Sequence, residues 1–185
     1  MKKYELVETD KTTPFGNPLF QVVALRDFGD VRKGDLGGYI ESTYNLSNKG
    51  NCWVYDNARV FGEAVVSENA VVSENAWVYG QAVVFGDSEV FGHSEVYDNA
   101  LVFGEAQVFG EAQVFGEAQV LDKSRVSGGV WVSGGVWVYD TTELTGGYAF
   151  DTKDNGNGAQ SASEKPKTCH DGQTGKFCSE CGVKL

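Results

Sequence analysis

Residues 105 to 120 read EAQVFGEAQVFGEAQV. Nearly the same six letters recur three times, and the pattern runs on in both directions. Cut into sixes from Trp53, the chain reads WVYDNA, RVFGEA, VVSENA, VVSENA, WVYGQA, VVFGDS, EVFGHS, EVYDNA, LVFGEA, QVFGEA, QVFGEA, QVLDKS, RVSGGV, WVSGGV, WVYDTT, ELTGGY and then AF, without a gap. The second position is Val from Val54 to Val138 and continues as Leu144 and Phe150, which makes seventeen positions in one register. A helix needs apolar residues at offsets of three and four, so a fixed period of six excludes it. Instead, a β-branched residue flanked by aromatics and followed by Gly or Asp with Asn or Glu describes a short strand and then a turn.

Each hexad therefore predicts one strand and one corner, with the Val inward. The small sixth residue, Ala at 58, 64, 70, 76, 82, 100, 106, 112 and 118 and Ser at 88 and 94, fills the tight space beside the corner, where a larger side chain overpacks. Glycines such as Gly62, Gly80 and Gly104 supply the backbone freedom a corner needs.

The pattern resembles the hexapeptide-repeat left-handed parallel β-helix, and the resemblance covers residues 40 to 150. It implies that three hexads close one triangular coil, so that residues eighteen apart stack along the axis. The left hand, against the usual right-handed crossover, comes from the resemblance alone. Between five and six coils at about 4.8 Å per stacked strand give a prism roughly 25 to 30 Å long. Ile40 and Leu46 extend the spacing backwards, but Leu46 and Val54 are eight residues apart, which predicts a two-residue bulge in SNKGNC; Cys52 then takes the small inward slot as a buried hydrophobe.

Residues 1 to 39 lie outside the repeat. KYELVE and PLFQVVALR alternate as strands around TDKTTPFGN and predict a hairpin that caps the open end of the prism. The opening ALRDFGDVRKGDLGGYIES through GNCWVYDNARV is similar to uncharacterised hexapeptide-repeat proteins of bacteriophages and prophages, a likeness that implies a source and no activity. Residues 151 to 167 are polar and rich in Gly and Ser, which predicts a flexible linker. Residues 168 to 185 contain FCSECG, a Cys-x-x-Cys knuckle that resembles half of a zinc ribbon. Cys169, Cys178 and Cys181, with His170 as a fourth candidate, form a ligand set for one structural zinc; a disulfide or free thiols are the alternatives, and a reducing compartment disfavours the disulfide.

Charge is confined to one part of the chain. The net charge is −11, and residues 53 to 150 hold three basic against fourteen acidic side chains, whereas the flanking segments balance. Such a surface excludes direct nucleic-acid binding, which is driven by cations on phosphate. No run approaches the apolar length of a membrane span, and MKKYELVETDKTTPFG has no apolar core of a signal peptide, so the expected compartment is the cytoplasm of a bacterial host.

The resemblance also brings acyltransferases into view. They use a catalytic histidine at a cleft between subunits and looped-out insertions that shape the donor site. This chain has no insertion between Trp53 and Phe150, and His93 is the one histidine of the repeats, in a column with Asn57, Asn75 and Glu111. The related carbonic-anhydrase type requires three metal-binding histidines. The expectation is therefore a non-catalytic scaffold, with an acyltransferase-like enzyme as the alternative.

Sorting outward residues by eighteen gives three faces. One is mixed, and a second carries aromatic ladders broken by charges. The third carries Val65, Ser67, Val83, Phe85, Leu101, Phe103, Gln119, Leu121, Trp137 and Tyr139, of which eight are apolar. A stripe of that length predicts an association surface, for a homo-oligomer (by resemblance a trimer) or for a host protein; side chains lying flat over neighbouring coils are the alternative. The acidic corners suggest a decoy of a basic host or defence protein, or serve solubility alone.

Overall fold

The computed structural model describes residues 2 to 150. They form an all-β parallel solenoid, with no helix among the described residues. Strands β1 (Tyr4–Thr12), β2 (Pro18–Ala24) and β3 (Leu36–Ile40) come first, followed by seventeen strands of two or three residues from β4 (Trp53–Val54) to β20 (Tyr148–Phe150). All twenty strands fall into three sheets of nine, six and five, the first including β1 to β3, one for each side of a triangular prism of about six coils.

The register follows the hexads. Val72, Val90 and Val108 pair in sequence on one side, and Val84, Val102 and Val120 on another, always eighteen residues apart. Every second-position Val from Val54 to Val138 is buried. At about 2 kcal/mol for each fully buried Val, this interior column is the main source of stability. The small sixth positions are closed as expected. Where Ser replaces Ala, at Ser88, Ser94 and Ser124, the hydroxyl donates to the carbonyl three residues earlier at 2.7 to 2.8 Å, so burial leaves no orphaned polar atom.

Corners share one backbone solution. Every fourth position of the hexads from 56 to 140 has a positive φ, including the acidic residues Asp56, Glu68, Glu74, Asp98, Asp122 and Asp140. An L side chain in this left-handed region costs energy. Four of the six acids recover part of it by accepting the backbone N–H of the residue eighteen ahead: Asp56 from Glu74, Glu68 from Gly86, Asp98 from Gly116 and Asp122 from Asp140, at 3.0 to 3.3 Å. At the glycine corners the coils approach so closely that a Cβ on Gly86 would stand 2.8 Å from the backbone nitrogen of Gly104.

The period is broken at both ends. In the first coil Ile40 pairs with Val60 and Leu46 with Val66, twenty apart, because two extra residues loop out before Trp53. In the last coil the expected inward Phe150 is 42 % exposed. Val132 pairs with Ala149, seventeen residues on, and Phe150 pairs with Ser133 on the outside. The corner at Gly146 and Gly147 closes one residue sooner than a regular hexad, and the smaller Ala149 takes the inward place.

The hairpin of β1 and β2 extends the nine-stranded sheet by antiparallel pairing of β2 with β3, which in turn pairs parallel with β5 (Arg59–Val60). Tyr4, Val22, Phe28 and Val31 from this segment join the prism core around Trp53. The Tyr4 hydroxyl donates to the Leu46 carbonyl at 2.7 Å, and the Phe28 ring meets Trp53 edge to face at 5.3 Å. No helix of the described residues is long and apolar enough to cross a membrane.

Candidate functional site

The eighteen-residue stack lines up Asn57, Asn75 and His93 along one corner. Their backbone N–H groups donate to Glu74, Gly92 and Gly110 carbonyls at 2.9, 2.9 and 2.7 Å, which holds the column in place. On the adjoining sheet the first outward position of β5, β8 (Trp77–Val78) and β11 (Glu95–Val96) supplies Arg59, Trp77 and Glu95. The hairpin adds Lys11 from β1. Together these seven residues line an open cleft of about 450 Å³.

Its electrostatics differ from the rest of the prism. The Arg59 guanidinium lies 5.2 Å above the Trp77 ring, and the Lys11 ammonium lies 4.7 Å above the Tyr39 ring. Such stacking holds a cation while leaving its N–H donors available. The ion pairs among the described residues, Lys123 with Glu105 and Arg125 with Glu143, involve neither of these cations. Glu95 is fixed from behind, since the Tyr79 hydroxyl donates to its Oε2 at 2.9 Å. Burial, reinforced by that bond to Glu95, pushes the Tyr79 phenol well above its ordinary range, so it remains a donor. An imidazole, two cations outside the ion pairs of the described residues, an indole face and an anchored carboxylate thus share one solvent-open groove.

Sequence reasoning placed His93 in its column but missed its neighbours across the corner. Arg59, Trp77 and Glu95 belong to the second outward face, the one with aromatic ladders broken by charges, and a grouping by side separates them from a column at the edge. Lys11 leaves no local signal, since its position depends on where the hairpin docks.

The stripe residues Val83, Phe85, Leu101, Phe103 and Leu121 lie on the five-stranded sheet and are half-buried, with Phe85 and Phe103 stacked at 4.9 Å and 8°. Trp137 and Tyr139, at its far end, are exposed. A second ladder, Phe61, Tyr79, Tyr97 and Phe115, stacks at 4.9 to 5.0 Å on the nine-stranded sheet. Cys169, His170, Cys178 and Cys181 lie outside the described residues. Among the described residues no cluster of His, Cys, Asp or Glu has the geometry to hold a metal.

The chain is similar to known proteins over part of its length. Residues 54 to 68 match the family model described as YdcK Beta solenoid repeat. Over 70 residues the chain is 39 % identical to a protein of Escherichia coli (strain K12) named Uncharacterized acetyltransferase YdcK; the match covers 34 % of this chain and 22 % of that relative. This finding overturns the expectation of a non-catalytic scaffold or acidic decoy. That expectation rested on the missing loops and on a solitary His93. In the structure the hairpin reaches the cleft through Lys11, and His93 shares it with charged and aromatic residues of neighbouring coils.

Proposed function

We propose that the chain belongs to an acyl-transferring enzyme and that the cleft around His93 is where the acceptor is activated. The observation that carries this reading is the convergence of the one histidine among the described residues with two cations outside any ion pair. The acetyltransferase name of the partial relative supports it.

The chemistry follows from the groups present. An acceptor hydroxyl or amine donates its proton to the His93 imidazole as its oxygen or nitrogen attacks the acyl carbon of a thioester donor. The new C–O or C–N bond forms, the C–S bond breaks, and the departing thiolate takes a proton. Lys11 and Arg59 hold an anionic portion of one substrate, Trp77 offers a flat apolar surface, and Glu95 remains available to a hydroxyl or ammonium. In an acidic protein this is where an anionic group meets the least repulsion.

Release of free thiol from acetyl thioester donors, followed against a panel of hydroxyl and amine acceptors, tests the reading. His93→Ala is expected to lower the rate by about 100-fold or more, the usual contribution of a general base. A parent protein inactive with every acceptor and donor, or an active one indifferent to His93→Ala, would overturn it.

A further inference from the structure

At the capped end of the prism Lys3 and Cys52 meet although 49 positions separate them. Both are fully buried, at 0 % exposure. The Lys3 ammonium donates to the Cys52 carbonyl oxygen at 2.8 Å and to its Sγ at 3.1 Å, and the Phe28 ring lies 5.1 Å away. No carboxylate pairs with Lys3 among the described residues. An ammonium in such a place is costly; burial lowers the Lys3 pKa, leaving more of the amine neutral, and raises that of the Cys52 thiol, while each group's charge opposes the shift of the other. Packing alone does not account for the pair. The same small inward slot is filled by Ala or Ser in the next four coils, at Ala70, Ser88, Ala106 and Ser124, and an aliphatic residue at position 3 would cover the prism end without a buried charge.

We infer that Lys3 and Cys52 form a peroxide-responsive covalent clasp between the N-terminal segment and the first coil. Hydrogen peroxide oxidises the Cys52 thiol to a sulfenic acid and leaves as water. The Lys3 amine then attacks the sulfur. An N–S bond forms, the S–O bond breaks, and the hydroxide released takes a proton from nitrogen and leaves as a second water. Across both steps the sulfur loses two electrons and one peroxide is reduced to two waters. Excess thiol reverses the bond, regenerating amine and thiol while two reductant thiols become a disulfide. Peroxide is scarcely larger than water and reaches the pair through local opening of the segment that carries the exposed Lys2. Closing a loop of this length restricts the unfolded chain and stabilises the cap.

The full chain is treated with hydrogen peroxide, alkylated, digested without reductant and read by mass spectrometry. The expected product is a linked pair of peptides carrying Lys3 and Cys52, two hydrogens lighter than their sum and split by dithiothreitol. A linked pair that keeps one oxygen also supports the clasp, as an N–O–S bridge made with a second peroxide and loss of two waters from the sulfenic acid. Lys3→Arg, which retains charge without a nucleophilic amine, and Cys52→Ser should both abolish the link. Peroxide should raise the Tm of the parent by several degrees and leave that of Cys52→Ser unchanged. Recovery of Cys52 as a free thiol, or as a sulfinic or sulfonic acid with Lys3 unlinked, would overturn the inference.

Discussion

The two ends of the prism solve the same problem differently. At the N-terminal end Tyr4, Phe28 and Trp53 are at most 7 % exposed, enclosed by a hairpin that prolongs one sheet. At the other end of the described residues Trp131, Trp137, Tyr148 and Phe150 are 42 to 61 % exposed. The residue types are alike, so composition does not separate them; what differs among the described residues is that the non-repeating hairpin covers one of the two ends. A hexad buries its Val against the next hexad and has nothing with which to cover the last one. Closure has to come from sequence outside the period.

Substitutions can break or sharpen this contrast. The largest loss is expected in the middle, away from either end. Val102→Asp places a charge in the closed column, costing about 4 kcal/mol or more, so thermal denaturation should show the variant largely unfolded; a parental Tm would refute the register. Next come the ends themselves. Trp53→Ala should cost about 3 to 5 kcal/mol as a core truncation, whereas Trp137→Ala, at a half-exposed site, should stay within about 0.5 kcal/mol. Urea titration of the two variants side by side measures the contrast, and equal losses would contradict it.

Alkaline pH probes the buried phenols, and a Tyr4 variant isolates the share that belongs to the capped end. Burial, with a smaller contribution from Cys52, raises the Tyr4 phenol to about 12 from an ordinary 10.0. Between these values the unfolded chain releases the proton while the folded chain keeps it, so stability must fall as pH rises from 10 towards 12. Tyr4→Phe should flatten that alkaline decline, at the expense of the bond to Leu46. Urea midpoints across this range, measured for both proteins, decide it; an equally steep decline in the variant would remove Tyr4 as its source.

The smallest effects lie at the corners. Glu74 has positive φ, and its carboxylate does not accept from the amide of Gly92 as its counterparts do from theirs. Glu74→Gly should therefore stabilise by about 1 kcal/mol. Asp98→Gly relieves the same conformation but loses its bond to Gly116, so the two changes should nearly cancel. A Glu74→Gly variant no more stable than Asp98→Gly would count against this account.

What was legible in the sequence follows the same division. The inward column, the small slots and the bulge before Trp53 were readable because each obeys a local period. The slip that puts Ala149 inside was not, because two consecutive glycines allow corners of different length and the next coil decides between them. Cys52 was read correctly as buried, but its partner Lys3 is a contact across 49 residues that no window of sequence contains. The cleft was half legible: His93 and its column follow from the period, while Lys11 requires the docking of a hairpin. Placing Arg59 and Trp77 beside that column requires thinking about the prism by its edges.

The uninterrupted eighteen-residue coil also sets rules for how such a chain changes length. Gain or loss of a single hexad in the run from 105 to 120 would leave every Val inward and every corner closed, yet it would turn all later coils by one third of a revolution. Tyr97 would remain above Tyr79; loss of one hexad would bring Leu121 to the place of Phe115 and end the aromatic stack early, whereas an identical extra copy would keep a Phe there and displace only the coils beyond. Three hexads together restore the alignment and add one coil, leaving the groove at Lys11 and His93 untouched. Copy-number variation in this gene is thus tolerated by the interior in steps of six residues and by the exterior only in steps of eighteen.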